Sequence, residues 1–171
     1  MFGFLLGVAF ANASEWIIHK YVLHGLGRKR SSYWSFHWHE HHRVVRTTGG
    51  RDDAYAKPIW QSAAKTKEAV GLVATSVAVT PLALVSPGFV LGVWCNGIAY
   101  YAIHRKSHLD PEWGRKYTPW HVDHHLGPNQ DKNWCVTWPL FDWILGTREP
   151  YLGTERERKH AERRAAAAAA T

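Results

Sequence analysis

Residues 69–103 read AVGLVATSVAVTPLALVSPGFVLGVWCNGIAYYAI, thirty-five residues without one charged side chain. Ser86-Pro87-Gly88 breaks the run near its middle, and such a cluster marks a turn. The segments on either side, Ala69–Val85 and Phe89–Ile103 with their flanks, each cover roughly 26 Å as helix, slightly under a hydrocarbon core of ~30 Å. The pattern predicts a transmembrane hairpin. A buried helical hairpin in a soluble protein is the competing reading, but a 171-residue chain has little mass with which to cover two helices apolar all round.

Working outward, Phe2–Ala13 is a further apolar run, followed by Glu15, Trp16-Ile17-Ile18 and His19. Ala11-Asn12-Ala13 has the form of a signal-peptidase site, but no Lys or Arg precedes the apolar run as a signal peptide requires. An uncleaved membrane helix over about Phe2–Leu23 is therefore expected, and its abrupt start leaves room for an upstream span. The fold class expected is all-α and integral-membrane, with three to four spans and a histidine-rich helical cap. Residues 1–150 form the membrane domain and 151–171 a charged, alanine-rich tail.

Charge sets the orientation. The net charge is +7, and every Lys and Arg lies within Lys20–Lys67 or Arg105–Arg164. By the positive-inside rule both basic segments are cytosolic. The mean hydropathy of −0.33 fits a short membrane part carrying a large polar half. No nucleic-acid motif accompanies the charge. Cys95 and Cys135 supply neither a disulfide framework nor a CxxC metal site.

Eleven of the twelve histidines fall into four clusters: His19 and His24; His37, His39, His41 and His42; His104 and His108; His121, His124 and His125. Only His160 stands apart. All four clusters fall on the cytosolic side or at its boundary. Imidazole is the commonest transition-metal ligand, and eleven are too many for one metal but suit two. His104 and His108 are an i, i+4 pair, and His121, His124 and His125 share one helical face. His19 and His24, five apart, are about 140° apart on an α-helix, so they converge only from the flank or where the helix unwinds. His39 sits between the good positions of its cluster, either a ligand or a solvated histidine.

Between the clusters, Ser31–Arg46 reads as an interfacial helix with Tyr33, Trp34, Phe36 and Trp38 at the membrane surface. Pro119 opens a short helix carrying the last triad. Glu155–Arg164 reads as a mixed-charge helix running into Ala165–Ala170.

The order HX4H, HX3HH, HX3H and HX2HH resembles the fatty acid hydroxylase/sterol desaturase superfamily of membrane histidine-box enzymes. Asn133 and the Asp142-Trp143-Ile144-Leu145-Gly146-Thr147 stretch resemble that family's closing segment. His19-Lys20-Tyr21-Val22-Leu23-His24-Gly25 is also similar to bacterial carotenoid hydroxylases. Those usually have four residues between the histidines of the third box; this chain has three. The second box departs from the commonest HX2HH spacing, leaving His37 and His39 as rival ligands.

The resemblance implies a di-iron centre, with zinc able to substitute in purified protein. Its ligands would be His19, His24, His37, His41, His42, His104, His108, His121, His124 and His125. It implies hydroxylation or desaturation of a lipid drawn from the bilayer, such as a fatty acyl chain or sterol. Carotenoid ring hydroxylation is the alternative within that chemistry, and a non-catalytic metal-binding membrane protein the alternative outside it. With no redox domain fused, electrons would come from a separate electron-transfer protein docking on the basic face. Glu15, i, i+4 before His19, is a candidate acceptor for that ring's N–H, since a carboxylate within a span is costly and by default functional. Asn133 is a candidate hydrogen-bond donor at the site, with Glu40, Asp123 and Asp142 as further carboxylates near the histidines. Trp94, Tyr100, Tyr101, Trp120, Trp134 and Trp138 are candidates for the substrate path.

Overall fold

A computed structural model describes residues 1–169, so the last two residues of the alanine-rich tail, Ala170 and Thr171, lie outside the described residues. The chain is all-helical, with no strand among the described residues. Helix α1 spans Phe2–Ile17 and continues without a break as a π-helical segment, Ile18–Leu26. A second π-helical segment, His37–His42, runs into α2 (Arg43–Thr47). Then come α3 (Ala63–Val79), α4 (Pro87–Leu109), α5 (Pro111–Tyr117), α6 (Pro119–Leu126), α7 (Leu140–Ile144) and α8 (Glu155–Ala169). The predicted interfacial helix at Ser31 begins late: residues 28–34 are turns, and continuous helix starts at Ser35.

Two helices, Phe2–Leu26 and Ala63–Leu84, are long and apolar enough to cross a membrane. The hairpin turns where the sequence predicts, because Pro87 opens α4, in the first turn, where backbone N–H groups have no intrahelical acceptor to lose. Ser62 accepts from Lys65 N to cap α3, and Asp110 accepts from Trp113 N to cap α5.

The frame is the pairing of α1 with α4. Gly3 and Gly7 on α1, Gly88 and Gly92 on α4, are each spaced four apart, the small-xxx-small pattern that lets apolar helices touch backbone to backbone. A Cβ on Gly7 would lie 2.1 Å from Phe89 O, and one on Gly92 would lie 2.3 Å from Phe4 O. By contrast α3 is peripheral, with Lys65 its only buried residue. Trp94 Nε1 donates to Ser76 O (3.1 Å) and ties α3 to α4.

The loop after α6 closes the histidine-bearing end of the helices. Asn12, buried within α1, donates to Thr137 Oγ1 (3.1 Å) and Trp138 O (2.9 Å). Trp16 packs with Trp134 and Cys135. Asp142 is buried and accepts from Trp134 N (2.8 Å), Cys135 N (2.9 Å) and Thr147 Oγ1 (2.7 Å). These bonds fix residues 132–137 over the end of α1.

Candidate metal centre

The π-helical turns bring the first two histidine clusters together. Bonding shifts there from i→i+4 to i→i+5, as in Gly27 N to Val22 O (3.0 Å), so residues five apart become neighbours. His19 and His24 gain one face by this device, and so do His37 and His42. Their ring centroids lie 5.0 Å and 4.8 Å apart. His19 and His24 converge where the helix departs from α geometry, one of the two routes the spacing left open.

The histidines form two buried groups. His19, His24, His37, His42 and His124 make one; His41, His104, His108 and His125 make the other, with ligand atoms within 4.8 Å of one another in each. His121 borders the second group, its Nε2 3.0 Å from His108 Nε2. The adjacent pairs His41-His42 and His124-His125 divide between the groups, because neighbouring residues point about 100° apart on a helix. The expectation that His121, His124 and His125 all face one way is thus corrected. His39 joins neither group: its Nε2 lies 3.0 Å from Arg28 O, while His37 Nε2 lies 2.9 Å from His19 Nε2.

Outward hydrogen bonds fix which nitrogen faces in. His19 Nδ1 donates to Trp134 O (2.6 Å), His124 Nδ1 to Lys132 O (2.7 Å) and His108 Nδ1 to Gly50 O (2.9 Å). His104 Nδ1 faces Glu68 Oε1 (2.6 Å) and His41 Nδ1 faces Asp52 Oδ2 (3.2 Å). With those protons committed outward, each of these five rings turns an Nε2 lone pair inward. His124 Nε2 lies 3.2 Å from His42 Nε2, and the buried Nε2 atoms of His41, His104 and His125 have no hydrogen-bond partner. Converging lone pairs repel one another and lack donors. A buried cation supplies what they lack, so the donor set fits two metal ions.

Burial keeps four of the rings outside the spans neutral and ready to ligate. It pushes His37, His42, His121 and His125 well below histidine's ordinary range, and neighbouring rings add to the effect. His124 is pushed down to about 4 by burial, although the Lys132 carbonyl works the other way.

Other sequence-predicted residues sit elsewhere. Glu15 does not meet His19. It accepts from Asn96 Nδ2 (2.6 Å), Thr137 Oγ1 (2.7 Å), Val136 N and Thr137 N (both 3.1 Å), because the ring proton of His19 is already taken by a backbone carbonyl. Asn133 touches no ring. It adopts φ 61°, unique among described non-glycine residues, and its side chain bonds Glu149 and Arg148. Its role is geometric: the two flanking carbonyls, of Lys132 and Trp134, are those aimed at His124 and His19. Asp123 is buried and pairs with Arg148 Nη2 (2.7 Å), Asp142 holds the loop, and Glu40 is exposed. His160 meets Tyr151 OH (3.2 Å), apart from both groups.

Sequence reasoning missed Asp52, Tyr55, Glu68 and Gln130. No spacing signal marks them, since each reaches its histidine across tertiary structure. Gln130's amide contacts His42 Nδ1 (2.8 Å), and Tyr55 OH donates to Glu68 Oε2 (2.7 Å).

A cavity of about 470 Å³ runs from the histidines between α1, α3 and α4. His19 and His37 of one group and His41 and His104 of the other line it. Phe10, Leu23, Leu72 and Val93 contribute apolar wall. The lining covers Phe10–Leu23 on α1 and its π-helical continuation and Ala64–Ser76 on α3, roughly 20 Å and 18 Å of helix at about 1.5 Å per residue. Of the six aromatic residues expected on a substrate path only Tyr100 lines it; Trp34, Phe36 and Tyr55 do so instead.

A profile of the fatty acid hydroxylase family matches residues 4–147. The chain belongs to the fatty acid hydroxylase family. No curated protein and no solved structure matches it. The matched region contains all four histidine clusters, Asn133 and Asp142, so both buried histidine groups belong to the family domain.

Proposed function

We propose that this fatty acid hydroxylase family member is a membrane-bound di-iron oxygenase that hydroxylates or desaturates a C–H bond of a bilayer lipid. One observation carries the reading: one cavity is lined by histidines of both groups at once. A substrate carbon beside those histidines would lie next to both metal positions, with its tail along the apolar wall.

Ten histidines would hold the two ions: His19, His24, His37, His42 and His124 around one, and His41, His104, His108 and His125 with His121 around the other. Imidazole ligands suit iron, and two iron ions there would supply the electrons and electrophilicity needed to activate dioxygen and break an unactivated C–H bond. In hydroxylation one oxygen atom enters the product and the other leaves as water; in desaturation the substrate loses two hydrogens. Both outcomes draw two electrons from a separate carrier, for which the basic cytosolic face offers a docking surface.

The protein's own part is orientation and exclusion. The outward bonds of His19, His104, His108 and His124 lock tautomer and ring angle. The apolar lining keeps water from the reacting end, and Tyr100 and Tyr55 border it. Because α3 stands at the edge with almost none of its surface buried, the gap between α1 and α3 is the route from the lipid. With α4 as a third span, the α3–α4 turn faces away from the cytosol and the histidines face it.

The test is expression in a host making both acyl lipids and carotenoids, with and without His124→Ala, followed by mass spectrometry of extracted lipids. A histidine-dependent gain of one oxygen, or loss of two hydrogens, supports the proposal and names the substrate class. Identical lipid profiles with a co-expressed electron donor would favour a metal protein without catalysis.

A further inference from the structure

The two histidine groups differ in what stands behind their rings. Behind His104 is the Glu68 carboxylate, one oxygen at 2.6 Å from Nδ1 and the other held by Tyr55 OH at 2.7 Å. Behind His41 is the Asp52 carboxylate at 3.2 Å, held in place by Ala54 N (3.0 Å). Both carboxylates are largely buried, their side chains each 11 % exposed. Behind the other group stand neutral dipoles: Trp134 O at His19, Lys132 O at His124 and the Gln130 amide at His42. The nearest carboxylate there, Asp131, is 3.8 Å from His24 Nδ1, half exposed, and bonded to Arg28 Nη2 at 2.6 Å.

A carboxylate accepting an imidazole N–H makes the opposite nitrogen a better donor and brings a negative charge close to the cation. A carbonyl gives orientation with only a dipole. In a buried site that difference is weakly screened, and hydrogen-bond partners of this kind change metal affinity by about 10- to 100-fold.

We propose that the two metal positions are inequivalent. The one formed by His41, His104, His108 and His125 takes its divalent cation first and holds it more tightly, with Glu68 and Asp52 as its positioning residues. The position formed by His19, His24, His37, His42 and His124 fills second and exchanges more readily. This rests on the proposed reading that both groups ligate metal.

The test uses the full chain in detergent, stripped of metal and titrated with Co²⁺ against a chromophoric chelator of known affinity. Wild-type protein is expected to bind two equivalents in two separable steps. Glu68→Gln keeps an acceptor for His104 but removes the charge. It is expected to weaken the tighter step about 10- to 100-fold, and Asp52→Asn to act in the same direction. His124→Ala is expected to remove the weaker step and leave the tighter one in place. Equal affinity for both equivalents in wild type would overturn the inference. So would Glu68→Gln and Asp52→Asn variants, helical and monodisperse, that keep the tighter step unchanged. Should Glu68→Gln fail to fold, the Asp52→Asn titration decides. A wild-type chain that binds no Co²⁺ would instead overturn the metal-centre reading itself.

Discussion

Gly7→Ala tests the α1–α4 pairing that brings the histidines following α1 and those of α4 together. The added Cβ would sit 2.1 Å from Phe89 O, where ordinary contact begins near 3.4 Å. The obstacle is backbone, so no side chain can turn away, and the helices must separate by about 1.3 Å or tilt. Inserting one carbon into a packed interface costs typically ~1–3 kcal/mol, and a rigid backbone obstacle places this variant near ~3 kcal/mol. The displacement also reaches the metal centre, because α1 continues unbroken to His19 and His24, while metal–ligand distances tolerate only about 0.2 Å. Gly3→Ala is the control on the same helix. Its Cβ would meet Ser86 Oγ at 3.2 Å, a hydroxyl that can rotate. Unfolding in mixed micelles, paired with metal content, is the assay. The expected order is wild type near Gly3→Ala, with Gly7→Ala well below both in stability and in bound metal. Equal stability for Gly7→Ala and Gly3→Ala would refute the backbone contact.

Other variants probe the remaining parts. His104→Ala should lower bound metal and abolish turnover, while His160→Ala should do neither; elemental analysis and lipid profiling check both. Asp142→Ala leaves the N–H groups of Trp134 and Cys135 and the Thr147 hydroxyl without their acceptor, at ~1–3 kcal/mol each, so its thermal midpoint in detergent should fall sharply. Glu15→Gln presents an amide to donors that need an acceptor; it should destabilise the fold more than it alters the metal spectrum. In the metal-free protein, histidines buried neutral bind fewer protons than their unfolded counterparts. Stability should therefore be full above about pH 6.5 and fall as the pH drops towards 4, the value for His124. Acid titration followed by circular dichroism checks the window, and bound metal should move it to lower pH.

The parts legible in the sequence were those written in local pattern. The uncharged run at 69–103 and the Ser86-Pro87-Gly88 break place α3, the turn and α4. Histidine spacing identifies the clusters, and the order of boxes identifies the family. What the sequence hid was tertiary. The HX4H spacing looks unfavourable on an α-helix and is resolved by a π-helical turn, a rare state with no strong propensity signature. Glu15 looked like a partner for His19 by helical spacing, yet the loop at residues 134–137 competes successfully for both groups. Asp52 and Glu68 are ordinary surface-type residues by sequence and acquire their place only when the 52–56 turn and α3 close over α4. The GxxxG spacing at Gly3–Gly7 and Gly88–Gly92 was present to be read, and it marks the backbone contact between α1 and α4.

The most direct measurement is the iron content of the full chain reconstituted anaerobically in detergent, together with the same determination on His104→Ala and His124→Ala. The account predicts two irons per wild-type chain, with each variant losing iron from a different group, so that their Mössbauer spectra retain different components. One iron per chain, or two irons retained unchanged in both variants, would contradict it.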